Sequence, residues 1–453
     1  MRRRSNRKAW LSMAALIPFL GHTQQYSDST QSARHEFSIQ QAVDYARKNN
    51  VQVKNALLNV QVQQQTNREV TSAALPQLSA SGSFTYNAKL PVSLVPAEFF
   101  GGQPGTFEKI AFGLKYNSTA GIQLNQLLFD GQVFVGLQAR ETVLKFQEKN
   151  VEVTEEMIKT NIHKIYYQLV VSRQQIDLLN ANIDRFEKLL KDTRIIYENG
   201  FAEKLDVDKV NVALTNLHTE KIKALNQIDN GYLALKLLMG MPVSDELVLT
   251  DSITYDQVKE GVLEVNGFQY SDRKDYQYAD LGIKLGEYNV RRYKLSKYPT
   301  LSLNGYYNKN AQRNEFNFFK NGDWFNISAV TLSLNIPIFN GFANNARIQK
   351  AKYELQQSIN QREYLKISID NDIMVAKNNF RSAIATLDFQ KKNMELAENV
   401  YMQTKKKYEA GTGSQTEINT AQTDLKTAQT NYISALYDAI IAKTDFLKAT
   451  GKL

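Results

Sequence analysis

Two long stretches of the chain place apolar residues at alternating steps of four and three. From Ile369 the steps land on Ile373, Ala376, Phe380, Ala383, Leu387, Gln390, Met394, Ala397, Tyr401, Thr404 and Tyr408. An earlier set runs through Ile165, Leu169, Ser172, Ile176, Leu179, Ile183, Phe186, Leu190 and Thr193 to Tyr197. A 3.5-residue period predicts coiled-coil helices rather than a globular helix face. Past Gly200 the rhythm resumes through Val210, Leu214, Leu217, Ala224, Ile228 and Leu235, and past Gly411 through Ala421, Leu425, Ala428, Tyr432, Ala435, Ala439 and Phe446. Each glycine therefore turns a helix of about 65 residues into a returning helix of about 38, and at 1.5 Å per residue the longer one approaches ~100 Å. No ordinary globular domain encloses such a rod.

Elsewhere the period drops to two. Leu78, Ala80, Gly82, Phe84, Tyr86 and Ala88 alternate with Ser79, Ser81, Ser83, Thr85, Asn87 and Lys89, and Leu114, Tyr116, Ala120, Ile122 and Leu124 alternate with Lys115, Asn117, Thr119, Gln123 and Asn125. Segments 301–310 and 325–336 repeat the pattern. Strands of about 11 residues are long enough to cross an outer membrane at a tilt. A half-buried soluble sheet would alternate in the same way. Two features favour the membrane: the connections 91–111 and 311–323 are long while the opposite strand ends run into helices, and Tyr306, Tyr307, Trp324 and Phe325 gather as an interfacial girdle would. Four strands cannot close a barrel, and lipid offers unpaired edges no water, so the strands must associate between chains. Two copies would give about eight strands and a filled interior; three give about twelve and an aqueous bore.

A repeat organises these elements. Tyr197-Glu198-Asn199-Gly200 recurs as Tyr408-Glu409-Ala410-Gly411, Leu128-Phe129-Asp130-Gly131 as Ile338-Phe339-Asn340-Gly341, and Leu75-Pro76 as Tyr298-Pro299. The last pair is more widely spaced, which puts an insertion of about 13 residues between Pro76 and Gly131. Prolines at 18, 76, 91, 96, 104, 242, 299 and 337 leave 105–241 and 338–453 free of helix breakers. The expected division is a leader over 1–23, a first repeat over 24–240, an insertion over 241–274 and a second repeat over 275–453.

The leader rests on Arg2, Arg3, Arg4, Arg7 and Lys8 ahead of an apolar run from Ala9 to Gly21, with Gly21 and Thr23 small enough for cleavage before Gln24. About 12 apolar residues are too few to span a bilayer. Of the formal charge of +9, five positives sit in this leader, leaving 9 − 5 = +4 on the remainder, which is no nucleic-acid footprint. The absence of cysteine excludes a disulfide framework and a thiol-linked lipid anchor.

Catalytic chemistry has little to stand on. His22, His35, His163 and His218 lack metal-ligand spacing. Asp206-Val207-Asp208 reads as a helix start favoured by the dipole before it reads as a cation site, and Gly411-Thr412-Gly413-Ser414 lacks the lysine of a phosphate loop. The expectation is no enzyme, no cofactor and no metal.

With its duplicated helix, strand, strand, helix, helix plan, its Leu-Phe-Asp-Gly131 and Ile-Phe-Asn-Gly341 segments and its turns after Gly200 and Gly411, the chain resembles the TolC family of outer-membrane efflux proteins. The segment from Gly200 to Val207 is similar to the family's Gly-x-x-x-x-x-Asp-Val turn. That resemblance implies an α+β membrane protein: a homotrimer with a twelve-stranded β-barrel continuous with a long α-helical coiled-coil tube, in the Gram-negative outer membrane and extending into the periplasm. It implies a passive exit duct surrounded by outer-membrane lipid, joined by a periplasmic adaptor to an inner-membrane pump of the RND, ABC or MFS class, with 241–274 as an equatorial insertion. Adaptor contact would fall on the tips at Gly200, Phe201, Gly411, Thr412 and Gly413. The resemblance also implies a periplasmic gate in which Tyr408 links to Asp206, with Gly413 where the family carries an arginine, and with Glu417 and Thr420 where it carries two acids. Seam packing of Tyr197 and Tyr408 is the competing role for these tyrosines. A diffusion porin or a structural periplasmic coiled-coil protein are the competing classes; drug, metal and protein cargo stay open.

Overall fold

The computed structural model describes residues 33–259, 267–320 and 322–453; the expected leader lies outside them. Helices dominate. After α1 (Ile39–Asn49) and α2 (Val51–Ser72), a first long helix α3 (Gly131–Glu198) returns as α4 (Lys204–Met239), and α6 (Lys274–Leu295) precedes a second long helix α7 (Ala343–Glu409), which returns as α8 (Gln415–Ala449). The long helices have 68 and 67 residues, as the 3.5-residue rhythm predicts. α3 starts where the Asp130 carboxylate accepts the Gln132 N–H at 2.7 Å, and it ends at Gly200, whose φ of +83° lets the chain reverse.

The helices lie side by side. Near the strands α3 packs on α2 and α6, and α6 on α7; toward the tips α3 packs on α4 and α8, and α8 on α7. This gives one curved layer whose lateral edges are α2 and α4 on one side and α7 on the other. Its core at mid-height holds Tyr166, Leu169, Leu235, Met239, Leu387 and Leu436, all nearly or fully excluded from solvent.

The sheet continues this layer. Strands β2 (Gln77–Tyr86), β5 (Tyr116–Phe129), β7 (Thr300–Arg313) and β8 (Phe325–Asn335) pair antiparallel in the order β2-β5-β7-β8. β5 runs four residues beyond the predicted Asn125, because β7 keeps pairing with it down to Phe129 through an irregularity after Leu127. The β2–β5 connection, where the repeat predicts extra residues, holds a small hairpin of β3 (Val92–Pro96) and β4 (Phe107–Ala111) with a short 3₁₀ turn between them.

Two of the short strands that escaped the sequence pattern pair with each other. β1 (Arg34–Phe37) pairs in parallel with β6 (Glu246–Leu249), so the segment after α4 is tied to the start of the described residues. Tyr166 of α3 fastens both: its hydroxyl donates to the Phe37 carbonyl at 2.9 Å and accepts the Asp251 N–H at 3.3 Å. Farther along, α5 (Tyr255–Lys259) grips α7, where Lys259 reaches Asp388 at 2.8 Å, Tyr255 hydrogen-bonds the same carboxylate and the Lys391 ammonium sits 3.9 Å above the Tyr255 ring. Tyr270 donates to Asp370 of α7 at 2.9 Å.

Candidate functional site: strand wall and helix tips

Directly paired residues of an antiparallel sheet share a face, so the register sorts every strand residue. One face holds Leu78, Ala80, Ala120, Ile122, Leu124, Leu301, Leu303, Val330, Leu332 and Leu334, followed toward the loops by Phe84, Tyr86, Tyr116 and Tyr307. Ring contacts of Tyr116 with Tyr86 at 5.1 Å and with Phe84 at 6.0 Å confirm the sharing. The opposite face is built mainly from Ser79, Ser81, Ser83, Thr85, Asn117, Thr119, Gln123, Ser302, Asn304, Asn308, Asn310, Thr331 and Ser333, but it also carries Tyr306, Phe325 and Ile327. Of the aromatic strand residues expected in a girdle, Tyr307 therefore faces the lipid side and Tyr306 and Phe325 do not. The amides of the opposite face bond across strands: Asn310 to Asn117 at 2.9 Å and to Thr119 at 2.8 Å, Asn304 to Ser333 at 3.2 Å. An apolar face with an aromatic rim opposite a hydroxyl and amide face is the wall of a barrel between lipid and water. Among the described residues no helix is long and apolar enough to cross a membrane.

At the far end stand the two helical turns. Gly200 and Gly411, at φ +83° and +71°, close them with the Gly200 N–H on the Tyr197 carbonyl at 2.9 Å and the Gly411 N–H on the Tyr408 carbonyl at 3.0 Å. Phe201 points into solvent, 85% exposed. Thr412 donates its N–H to the Lys407 carbonyl at 3.0 Å, and Gly413 does so at 3.1 Å. A Cβ at Gly413 would come within 3.0 Å of the Tyr408 nitrogen, so this tight turn itself accounts for a glycine there.

Tyr408 is half-buried, and burial first, then Asp192 and Asp206 nearby, push its phenol above the ordinary range, so the hydroxyl keeps its proton. It donates to Gln415 Oε1 at 2.5 Å. The same oxygen lies 3.3 Å from Thr193 Oγ1 of α3, and the Gln415 amide continues to Asn419 at 3.2 Å. Asp206 is engaged elsewhere: it accepts the Glu203 N–H at 3.4 Å and lies 3.7 Å from Lys209. Within one chain, then, the Tyr408 hydroxyl is joined to α8 and α3 through Gln415, and not to Asp206. Glu417 closes a capping box with Ser414 at 3.3 and 3.2 Å. Tyr197, the repeat partner of Tyr408, is 41% exposed within one chain.

About 14 residues up α8, some 21 Å at helical rise, a second polar link crosses from α3. Asn182 donates to Gln429 Oε1 at 3.0 Å, Arg185 reaches Asn182 at 2.8 Å and its guanidinium lies 5.8 Å from the Tyr401 ring centroid. Between the two links a cleft of about 410 Å³ opens, lined by Asp184, Lys188, Asp192, Lys405 and Glu409 among others. Sequence reading missed Gln415, Asn182, Arg185 and Gln429. The available signal was amide side chains beside an otherwise apolar seam, a known device for fixing helix register.

A sheet with one lipid-type face, continuous with helices too long for a globular domain, defines a protomer of an outer-membrane channel that reaches across the periplasm. The family model described as outer membrane efflux protein matches residues 42–241 and 271–452, and the chain belongs to that family. It is 20% identical over 432 residues to outer membrane protein TolC of Escherichia coli K12, covering 92% of this chain and 82% of the relative. To the probable efflux pump outer membrane protein TtgC of Pseudomonas putida KT2440 it is 22% identical over 426 residues, covering 92% and 83%. Among solved structures, CusC superposes with a TM-score of 0.76 at 16% identity over 92% of this chain and 93% of CusC, and VceC of Vibrio cholerae with 0.71 at 16% over 91% and 96%. The protein is thus an outer-membrane channel component of efflux or secretion systems.

Proposed function

We propose that three copies close head-to-tail into one passive conduit, with a twelve-stranded barrel in the outer membrane and a helical tube below it. A periplasmic adaptor would contact the tips around Gly200, Phe201, Gly411, Thr412 and Gly413, and an inner-membrane pump would supply the energy. Residues 241–274 would girdle the tube as an equatorial insertion, and outer-membrane lipid would surround the barrel. The observation that carries this reading is that sheet and helix layer end unpartnered on the same two sides. β2 follows α2 at one edge and β8 precedes α7 at the other. Apolar side chains stand exposed along both helical edges, among them Leu58, Val62, Ile222 and Leu233 on one and Tyr353, Tyr364, Ile367 and Phe389 on the other. Unpaired strand edges have no partner in lipid other than another strand, and rotation about one axis closes such a heterologous contact into a ring.

The cysteine-free sequence makes the test direct. Single cysteines scanned along β2 are paired with single cysteines along β8 in the same chain, then oxidised in the membrane. Trimeric rings are expected at one register. Cross-links confined to single chains, or β2 to β2 dimers, would refute the arrangement.

A further inference from the structure

Across the four long strands only two residues carry a charge, Lys309 and Arg313; both are cations and both belong to β7. The register puts both on the lipid-type face: Lys309 stands opposite Ala120 and Asn326, Arg313 opposite Tyr116. No acid shares that face. Lys309 is exposed and forms no hydrogen bond or ion pair among the described residues. Arg313 turns toward its own loop, where its Nη1 meets the Asn317 side-chain oxygen at 2.9 Å and its guanidinium lies 5.1 Å from the Phe318 ring centroid, while its Nη2 is buried with no hydrogen-bond partner among the described residues.

Height locates these cations. At about 3.4 Å per residue and a tilt near 40°, the eight residues from Leu301 to Lys309 climb about 21 Å, close to the ~25 Å height of an apolar band. Lys309 therefore stands at the outer rim of the hydrocarbon, where an exposed cation costs little, and Arg313 stands about 10 Å above it. The first ionic groups met at that level are lipid phosphates.

We propose that Lys309 and Arg313 form a binding site for a phosphate-bearing glycolipid of the outer leaflet, repeated once per protomer around the barrel. Lys309 takes a phosphate at the acyl boundary, Arg313 takes an anionic group higher in the headgroup, and the apolar face below holds the acyl chains. This rests on the barrel reading and gives the surrounding lipid a chemistry. It also accounts for two desolvation-sensitive charges on a face that is otherwise apolar, aromatic or neutral.

The test is native mass spectrometry of the purified protein in detergent, titrated with bisphosphorylated lipid A, with the same lipid stripped of its phosphates, and with inorganic phosphate as competitor. Wild type should retain bisphosphorylated lipid, and Lys309→Ala should weaken binding about tenfold, the equivalent of about 1.4 kcal/mol. The double variant with Arg313→Ala should abolish it, Lys309→Arg should preserve it, and Lys223→Ala on the distant α4 should leave it unchanged. Equal retention of both lipids, or of wild type and Lys309→Glu, overturns the site, and displacement by free phosphate shows an ion site instead of a lipid site. The same spectra give the oligomeric mass. A wild type that is not trimeric refutes the conduit, whereas a trimer indifferent to lipid phosphate refutes only this inference.

Discussion

The periplasmic gate that the family resemblance implies gives the sharpest prediction, because within one chain Tyr408 hydrogen-bonds Gln415 and not Asp206. Its hydroxyl donates to Gln415 Oε1 at 2.5 Å, and that oxygen approaches Thr193 of α3 at 3.3 Å. Both partners are neutral, so each link is worth about 1 kcal/mol net. Three independent copies would sum to about 3 kcal/mol per channel, a factor of roughly 150 in the closed-to-open ratio. Tyr408→Phe keeps the ring and deletes the donor; Gln415→Ala deletes the acceptor. Each should raise open probability in a planar bilayer, Gln415→Ala further than Tyr408→Phe because it also loses the Thr193 and Asn419 contacts, and the double variant should match Gln415→Ala. Asp206→Ala, which disturbs a helix cap, should leave open probability near wild type. Raising salt from about 0.1 M to 1 M shortens the Debye length from ~10 Å to ~3 Å. It should weaken the exposed Lys426 to Glu220 pair, 2.7 Å apart between α8 and α4, and leave the neutral Tyr408 link intact, so the wild-type closed state should change little. If Asp206→Ala opens the channel as far as Tyr408→Phe does, or if high salt alone opens wild type, the gate is a charged one and the neutral latch is wrong.

Three other outcomes follow from the same structure. Burial and neighbouring Lys159 push the His163 imidazole down to about 4, against 6.5 unperturbed; an unfolded chain therefore takes up this proton before the folded one does. Its contribution to stability is complete above pH 6.5 and falls away toward pH 4 by on the order of 3 kcal/mol per chain, so thermal melts should lose less stability across that window in His163→Gln than in wild type. Gly411→Ala meets no neighbouring atom but strains φ +71°, so it should destabilise by about 1 to 2 kcal/mol, and Gly411→Asn, which tolerates the left-handed region, by less; denaturant midpoints decide it. Asp388→Asn removes the ion pair of Lys259 with α7, so hydrogen exchange over Tyr255–Lys259 should accelerate while exchange in α3 stays unchanged.

Periodicity made most of the architecture legible. Heptad steps set the helices because a side chain repeats its environment every 3.5 residues over dozens of residues, and strict alternation set the strands because each has one face on lipid and one on water. What failed was short or non-local. β1 and β6 have four residues each and are tied by contacts such as His35 to Asp245 at 3.2 Å, 210 positions apart in the chain. No local pattern encodes such a pair; only the folded α3, offering Tyr166 to both strands, does. Lys309 was visible as a cation in a strand, but its meaning needed the register.

The helix tips show why a repeat in sequence need not be a repeat in local contacts. Tyr197 and Tyr408 sit three residues before equivalent glycines, and Thr193 has its counterpart in Thr404. Seven residues past each tyrosine, however, the copies diverge: Lys204 stands in the first hairpin where Gln415 stands in the second. An ammonium offers donors only and cannot accept a phenol's proton, so the first copy builds no such latch and Tyr197 remains exposed. The second copy reaches Thr193 of α3 through one amide oxygen, which ties the α7 and α8 hairpin to the first hairpin near its tip. Loss of the Thr193 contact frees the second hairpin there while the Asn182, Arg185 and Gln429 link, some 21 Å up the helix, and the Lys426 to Glu220 pair still hold it. Gating motion should therefore hinge between these two levels, and Asn182→Ala combined with Gln415→Ala should open the channel further than either change alone. Equal conductance of the double variant and Gln415→Ala would place the hinge elsewhere.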